Sequence, residues 1–238
     1  MDLKGRIAVI TGATRGLGFA MSEKLASFGA KVIMACREKE TGMKSVEKLK
    51  TKGLDVVFKK CDVENVAEID ALAASLSAEY NHLDILINNA GINGEPMSTT
   101  IETVDLAIFE KVMNVNVRGT LRVISKLLPL LKKSNDARII NFSSGLAQLS
   151  VPRMGPHISY SISKTAINQL TWTFAGHLKD TKVKIFCVDP GWVKTDMGGP
   201  DAMLEINEGI DTPVWLATED KSKLQSGYFY KERKILPW

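Results

Sequence analysis

The chain predicts an α/β fold, a parallel sheet covered by helices on both faces, and three observations carry that prediction. Strand-like and helix-like segments alternate along all 238 residues. A glycine-rich turn, Gly12 to Gly18, joins the first apolar strand to the first helical pattern. Polar motifs fall after successive strands, where open sheets of this kind bind ligands.

The elements follow in order. Arg6 to Thr11 is a short apolar strand, and Phe19, Met21, Leu25 and Phe28 give a helical pattern closed by Gly29. The strand Lys31 to Cys36 precedes a charged helix, about Glu38 to Lys52. The strand Val56 to Lys60 and the helix Val66 to Tyr80 come next, then the strand Leu83 to Asn88. A loop through Gly94 and Pro96 leads to a long helix ending near Lys133. The strand Arg138 to Phe142, a loop to Ser159, the helix Tyr160 to Leu178 and the strand Val183 to Val188 follow. A short helix around Ile210 to Ala217 and a last strand at Tyr228-Phe229 complete the chain. No linker, repeat or low-complexity tract divides it, so it reads as one domain over residues 1–238.

Composition narrows the function classes. With 45% hydrophobic and 24% charged residues the chain has the balance of a soluble globular protein. A net charge of +4 without a basic run gives nucleic-acid binding no support. No apolar stretch approaches the ~20 residues that span a membrane, and the N-terminus shows no signal-peptide core, so a cytoplasmic location is expected. Cys36, Cys61 and Cys187 lack metal-ligand spacing and read as buried thiols of a reducing compartment. Cys187, beside the loop expected to border the site, is the thiol to watch for reactivity. The sequon Asn141-Phe142-Ser143 lies at a buried strand end and is discounted.

The glycine turn reads as a phosphate cradle. Gly12 permits the tight turn, Gly16 lets backbone approach a pyrophosphate, and Gly18 lets the helix pack closely on the strand. The helix N-terminus presents unpaired N–H groups and a partial positive charge to the phosphates. The ribose partner follows from the next strand. Where an NAD site would carry Asp or Glu, this chain has Cys36 and then Arg37, and Arg15 stands in the turn. A guanidinium grips a 2′-phosphate through two bonds at once. At about 1.5–3 kcal/mol per charge-assisted bond, each arginine favours NADP(H) by roughly ten- to a hundredfold. On other chains two such arginines are simply solvated; the missing carboxylate decides the reading here.

Tyr160 and Lys164 share one helix face. A cation beside a phenol favours the phenolate and draws the Tyr pKa down toward a working pH. Such a phenol exchanges a proton with a carbonyl or alcohol oxygen. The spacing also occurs in ordinary surface pairs, so the other motifs must support it. Those motifs are Asp62-Val63 after the third strand, Asn88-Asn89-Ala90-Gly91 after the fourth, Ser143-Ser144 after the fifth, and Pro190 to Thr195 after the sixth. Asn88 reads as a buried backbone-bonding amide rather than a ligand group.

Together, Thr11 to Gly18, Asp62-Val63, Asn88 to Gly91, Asn116 with Gly119, Ser144, Tyr160 to Lys164 and Pro190 to Thr195 resemble the short-chain dehydrogenase/reductase family over nearly the whole chain. Pro190 to Pro200 and Thr212 to Ala217 look like its carbonyl reductase branch. The resemblance implies a Rossmann-type doubly wound parallel sheet of order 3-2-1-4-5-6-7, three-layer α/β/α. It implies Tyr160 as general acid/base, Lys164 on the nicotinamide ribose and lowering the Tyr160 pKa, Ser144 on the substrate oxygen, and Asn116 positioning a water. It places Asp62 and Val63 at the adenine, and Asn89 and Gly91 along the cofactor. Gly12, Thr14, Arg15, Gly16, Leu17, Gly18 and Arg37 would hold the phosphates and ribose, and Pro190, Gly191, Val193 and Thr195 would face the nicotinamide amide. The cofactor would be NADP(H) and the partner a small carbonyl or alcohol substrate.

Ser144 precedes Tyr160 by more positions than family members usually show, and the excess falls in Pro152 to His157. The long insertion of mammalian-type carbonyl reductases is absent here, which leaves a homodimer or homotetramer open. His157 is a possible substrate contact or a locally bonded loop residue, and Met97, Met154, Trp192 and Met197 are possible pocket residues. An enone C=C reductase on the same fold and a non-catalytic NADP sensor stand as alternatives. The sensor would be expected to lack one of Ser144, Tyr160 and Lys164.

Overall fold

Eight strands form one sheet of order β3-β2-β1-β4-β5-β6-β7-β8 in the computed structural model, which describes residues 2–152 and 156–238. The strands are β1 (Ile7–Thr11), β2 (Lys31–Cys36), β3 (Val56–Lys60), β4 (Ile85–Asn88), β5 (Ala137–Phe142), β6 (Val183–Val188), β7 (Phe229–Lys231) and β8 (Lys234–Leu236). The first seven pair in parallel, in the expected order. β8 is the addition: it pairs antiparallel with β7 at the sheet edge. Its hairpin turns on Glu232 and Arg233, both left-handed (φ 49° and 60°). Two-residue hairpins need that conformation, but the Asn and Gly that usually announce it are absent. Asp211 holds the turn by a bond from Arg233 Nε at 2.8 Å, and Thr212 accepts from the Arg233 backbone N–H at 3.1 Å.

Alternating side chains build a core on each face. Ile10, Met34, Ile87 and Ile140 pack into one apolar cluster, while Val9, Ile33, Leu86 and Ile139 pack into the other. This is the period of two of a pleated strand, with both faces covered. Each such side chain contributes about 1.5–3 kcal/mol by leaving water. The first cluster is closed by α1 (Gly16–Ser27), α2 (Lys39–Lys50) and α8 (Asp211–Thr218). The second is closed by α3 (Val66–Glu79), α5 (Thr120–Leu131) and α6 (Ile158–Leu178).

The expected long helix ending near Lys133 is in three parts. α4 (Leu106–Met113) runs into a π-helical segment, Asn114–Gly119, and then into α5. Such widened turns reposition one side chain relative to the helix it interrupts, and Asn116 lies inside this one. A further turn, α7 (Ile206–Gly209), precedes α8 and carries a reciprocal capping box between Glu205 and Glu208. α6 begins at Ile158, two residues before the expected start at Tyr160.

Among the described residues no helix is long and apolar enough to cross a membrane. No group of three or more His, Cys, Asp or Glu could hold a metal ion there.

Candidate active site

A cavity of about 1680 Å³ runs along the carboxyl ends of the parallel strands. Single small-molecule sites occupy about 300–1,000 Å³, so there is room for a dinucleotide and a substrate side by side. Gly12, Thr14, Arg15, Gly16, Leu17, Gly18, Arg37, Asp62, Val63, Asn89, Gly91, Ser144, Tyr160, Lys164, Pro190, Gly191, Val193 and Thr195 all line it. Asn116 does not; it lies buried behind the wall.

The glycine turn is shaped by close approach. A Cβ on Gly18 would lie 2.4 Å from the Gly12 carbonyl oxygen and 2.6 Å from Asn89 Nδ2. Gly12 and Gly16 are left-handed, at φ 64° and 54°. Arg15, the residue before α1, gives that helix no side-chain cap, and its first turn holds no acid. Its terminal N–H groups therefore face the cavity uncommitted to a carboxylate, as an anion requires. These observations fit a pyrophosphate.

Asn89 borders the cavity and also braces the glycine turn. Its Nδ2 donates to the carbonyls of Thr11 (2.9 Å) and Gly12 (3.0 Å), and its own N–H bonds Thr11 Oγ1. Its amide is spent on holding the turn, although the residue still borders the cavity. Asn88 is buried as expected, but its partner is a side chain: Nδ2 donates to Asn141 Oδ1 at 2.9 Å. Asp62 accepts from the Glu64 N–H at 3.0 Å, and the buried Val63 packs against Gly119. Arg15 pairs with Asp196 at 2.7 Å and Arg37 with Glu38 at 3.2 Å, all four strongly exposed. Exposed pairs of this kind hold by ~0–1 kcal/mol, so both guanidiniums are available to a phosphate. Lys44, which the sequence reading passed over, lines the same end of the cavity with them.

At the other part of the cavity Ser144, Tyr160 and Lys164 meet. Tyr160 is hydrogen-bonded to Ser144, and the Lys164 ammonium lies 5.4 Å from the Tyr160 ring centre. Lys164 Nζ donates to the Phe142 carbonyl at 2.7 Å, where β5 ends. Burial pushes the phenol up to about 12, the nearby Asp189 carboxylate adds to the rise, and the bond to Ser144 opposes it. Burial alone draws Lys164 down to about 8. The direction for Tyr160 reverses the one expected from the spacing, because leaving water disfavours a phenolate more than the neighbouring groups favour it. Asp189 is itself paired with Lys231 at 3.1 Å and accepts from the Gly191 N–H.

Asn116 is committed to the wall. Its Nδ2 donates to the Ile92 carbonyl (2.8 Å) and to Ser163 Oγ (3.0 Å), and its Oδ1 accepts from the Ile92 N–H at 2.8 Å. The loop after β4 is thereby pinned beside α6. His157 lines the cavity and is hydrogen-bonded through Nδ1 to Asn93, 64 residues earlier in the chain, at 2.8 Å. Trp192 and Met197 line the cavity, Met97 is exposed outside it, and Met154 lies outside the described residues. Cys187 is fully buried, and burial raises its thiol far above the ordinary range, which removes it as a nucleophile.

Sequence reasoning missed Glu95. Its nearly buried carboxylate accepts from the Ser159 N–H (2.9 and 3.0 Å), from Ser159 Oγ (2.7 Å) and from the Tyr160 N–H (3.4 Å). Its only sequence signal is a lone acid between Gly94 and Pro96.

Several known proteins are similar to this chain over nearly its whole length. The mouse (Mus musculus) carbonyl reductase [NADPH] 1 is 31% identical over 98% of both chains. The (+)-neomenthol dehydrogenase of Arabidopsis thaliana is 30% identical over 97% of both. The crystal structure of NADPH-bound carbonyl reductase from chicken fatty liver superposes with a TM-score of 0.88 at 29% identity, covering 99% of this chain and 100% of that one. Residues 6–203 match the short chain dehydrogenase family, and the chain belongs to it.

Proposed function

We propose that the protein is an NADPH-dependent oxidoreductase that reduces the carbonyl of an aldehyde or ketone to an alcohol, with Tyr160 as general acid. The observation that carries this reading is one continuous cavity bordered by both the glycine turn and the Ser144–Tyr160–Lys164 group. The cofactor is NADP(H). Gly12 to Gly18 would hold its pyrophosphate at the α1 N-terminus, Arg15 and Arg37 its 2′-phosphate, and Lys164 its nicotinamide ribose. Asp62 and Val63 border the adenine end, and Pro190 to Thr195 the nicotinamide end.

When bound, NADPH supplies a hydride to the carbonyl carbon. The chain supplies the proton and the polarisation. Tyr160, kept protonated by burial, gives its phenolic proton to the substrate oxygen. Ser144 donates a hydrogen bond to the same oxygen as negative charge develops there. Asn116 contributes by holding Ile92, and with it the loop that closes the substrate side. Aldehydes and diketones that consume NADPH and return alcohols, and quinones that return hydroquinones, support the reading. Inertness towards all of them refutes it, and an enone returned saturated with its carbonyl intact assigns the C=C reductase instead.

Cofactor choice has its own test. Arg37→Ala should lower the preference for NADPH over NADH by roughly tenfold, the worth of one charge-assisted bond. The ratio of kcat/KM for the two coenzymes measures it, and an unchanged ratio contradicts the arginine assignment.

The pH profile follows from burial. As pH rises through about 8, Lys164 gives up its charge while Tyr160, at about 12, keeps its proton. The rate of reduction should therefore fall above about pH 8, because the ammonium that anchors the ribose is lost. A profile flat through that region contradicts the role given to Lys164.

A homodimer or homotetramer belongs to the same reading, supported by the apolar surface that Leu121 on α5 and Ile162 and Trp172 on α6 leave exposed.

A further inference from the structure

The helix that carries Tyr160 and Lys164 begins without a cap of its own. His157, the residue before α6, is left-handed at φ 77° and makes no side-chain bond to the helix end. A 21-residue helix still has to satisfy its first N–H groups, and its start carries a partial positive charge. Both needs are met from elsewhere in the chain. Glu95, in the loop after β4, puts its carboxylate against the first turn of α6, taking the Ser159 N–H and hydroxyl and the Tyr160 N–H.

We propose that Glu95 is a positioning residue for Tyr160, a long-range cap that sets the orientation of the first turn of α6 and so the aim of the phenol. Glu95 is 9% exposed, and its carboxylate's partners are backbone and hydroxyl donors of this one turn. A charged acceptor at a helix N-terminus makes shorter and stronger bonds than a neutral one. It bonds the backbone of Tyr160 itself, so a shift of Glu95 moves the residue that gives the proton. The same loop is tied to the helix start a second time, through Asn93 and His157, and to Asn116 through Ile92. Three successive parts of the loop thus fix the substrate side of the cavity to the catalytic helix.

The inference rests on the reading of Tyr160 as general acid, so Tyr160→Phe is measured beside the Glu95 variants. Steady-state reduction and NADPH titration are run on the full chain. Misplacing a reacting group by an ångström can cost about a hundredfold, and Glu95→Ala should lower kcat by at least roughly tenfold. The NADPH Kd should stay within about twofold, because the bonds of Glu95 fall on Ser159 and Tyr160, a turn before Lys164, whose ammonium is held separately by the Phe142 carbonyl. Glu95→Gln, whose amide oxygen still accepts from Ser159, should recover about a third or more of the rate. Glu95→Ala with turnover within about twofold of the parent, or with NADPH affinity falling in step with kcat, overturns the proposal. If Glu95→Ala does not fold, Glu95→Gln and Glu95→Asp decide. Gln should turn over faster than the shorter Asp at equal NADPH affinity; both at the parent rate overturns the proposal. Tyr160→Phe retaining turnover defeats both readings, whereas an inactive Tyr160→Phe beside a fully active Glu95→Ala defeats this one alone.

Discussion

Tyr160→Phe is expected to lower the rate of carbonyl reduction about 10²–10⁴-fold, the usual worth of a general acid. The substitution deletes one hydroxyl and leaves the ring that packs beneath Lys164. The lost group is the only part of Tyr160 that bonds Ser144, so two contributions vanish together: the transferable proton and the bond that orients it. Neither contacts the glycine turn. NADPH should therefore bind with an affinity within about threefold of the parent, and the whole effect should fall on kcat. Stopped-flow reduction combined with a fluorescence titration of NADPH separates the two quantities. Turnover close to the parent rate would remove Tyr160 from the chemistry. Equal losses in turnover and coenzyme affinity would mean that the ring serves the binding site instead.

Gly18→Ala should weaken coenzyme binding by a steric route. The added methyl would sit 2.4 Å from the Gly12 carbonyl oxygen, 2.6 Å from Asn89 Nδ2 and 3.0 Å from the Ala13 Cα. Two of these three atoms belong to backbone, so no flexible side chain can move aside to relieve the contact. α1 must retreat from β1, and the bond from Asn89 to the Gly12 carbonyl must lengthen. Overpacking of this kind costs about 1–3 kcal/mol of stability. The displaced helix N-terminus loses its aim at the phosphates. A fall in Tm together with a loss of NADPH affinity of at least roughly tenfold is expected. Gly5→Ala, at a left-handed glycine with open space around its Cβ, provides the contrast: backbone strain there should lower Tm while sparing NADPH affinity. A Gly18→Ala protein that binds NADPH like the parent would contradict the tight packing of strand and helix.

Much of the fold was readable because its signals are local. Apolar runs such as Arg6 to Thr11 and Val183 to Val188 stand between helical patterns, and the glycine turn lies where strand passes to helix. What escaped depends on contacts between distant segments. β8 turns on Glu232 and Arg233, whose left-handed backbone is held by Asp211 and Thr212 rather than announced by glycine. The π-helical segment at Asn114–Gly119 lies within a pattern that reads as continuous helix.

The candidate site divides along the same line. Residue types and their order along the strands brought Ser144, Tyr160, Lys164 and the glycine turn to one cavity. Spacing cannot show that the amides of Asn89 and Asn116 are hydrogen-bonded to Thr11, Gly12 and Ile92. The direction of the Tyr160 pKa differs from the expected one because of burial. A cation four residues away argues for a lowered phenol, but the depth of burial is set by the whole fold and outweighs it. Glu95 gave almost no signal, since the turn it caps lies more than sixty residues further along the chain.

A crystal structure of the full chain with NADP and a bound ketone analogue puts the core assignment at most direct risk. The nicotinamide should lie beside Tyr160, with the analogue's oxygen in hydrogen-bond reach of both the phenol and the Ser144 hydroxyl. A nicotinamide held away from that pair, or an analogue whose oxygen meets neither hydroxyl, would contradict it.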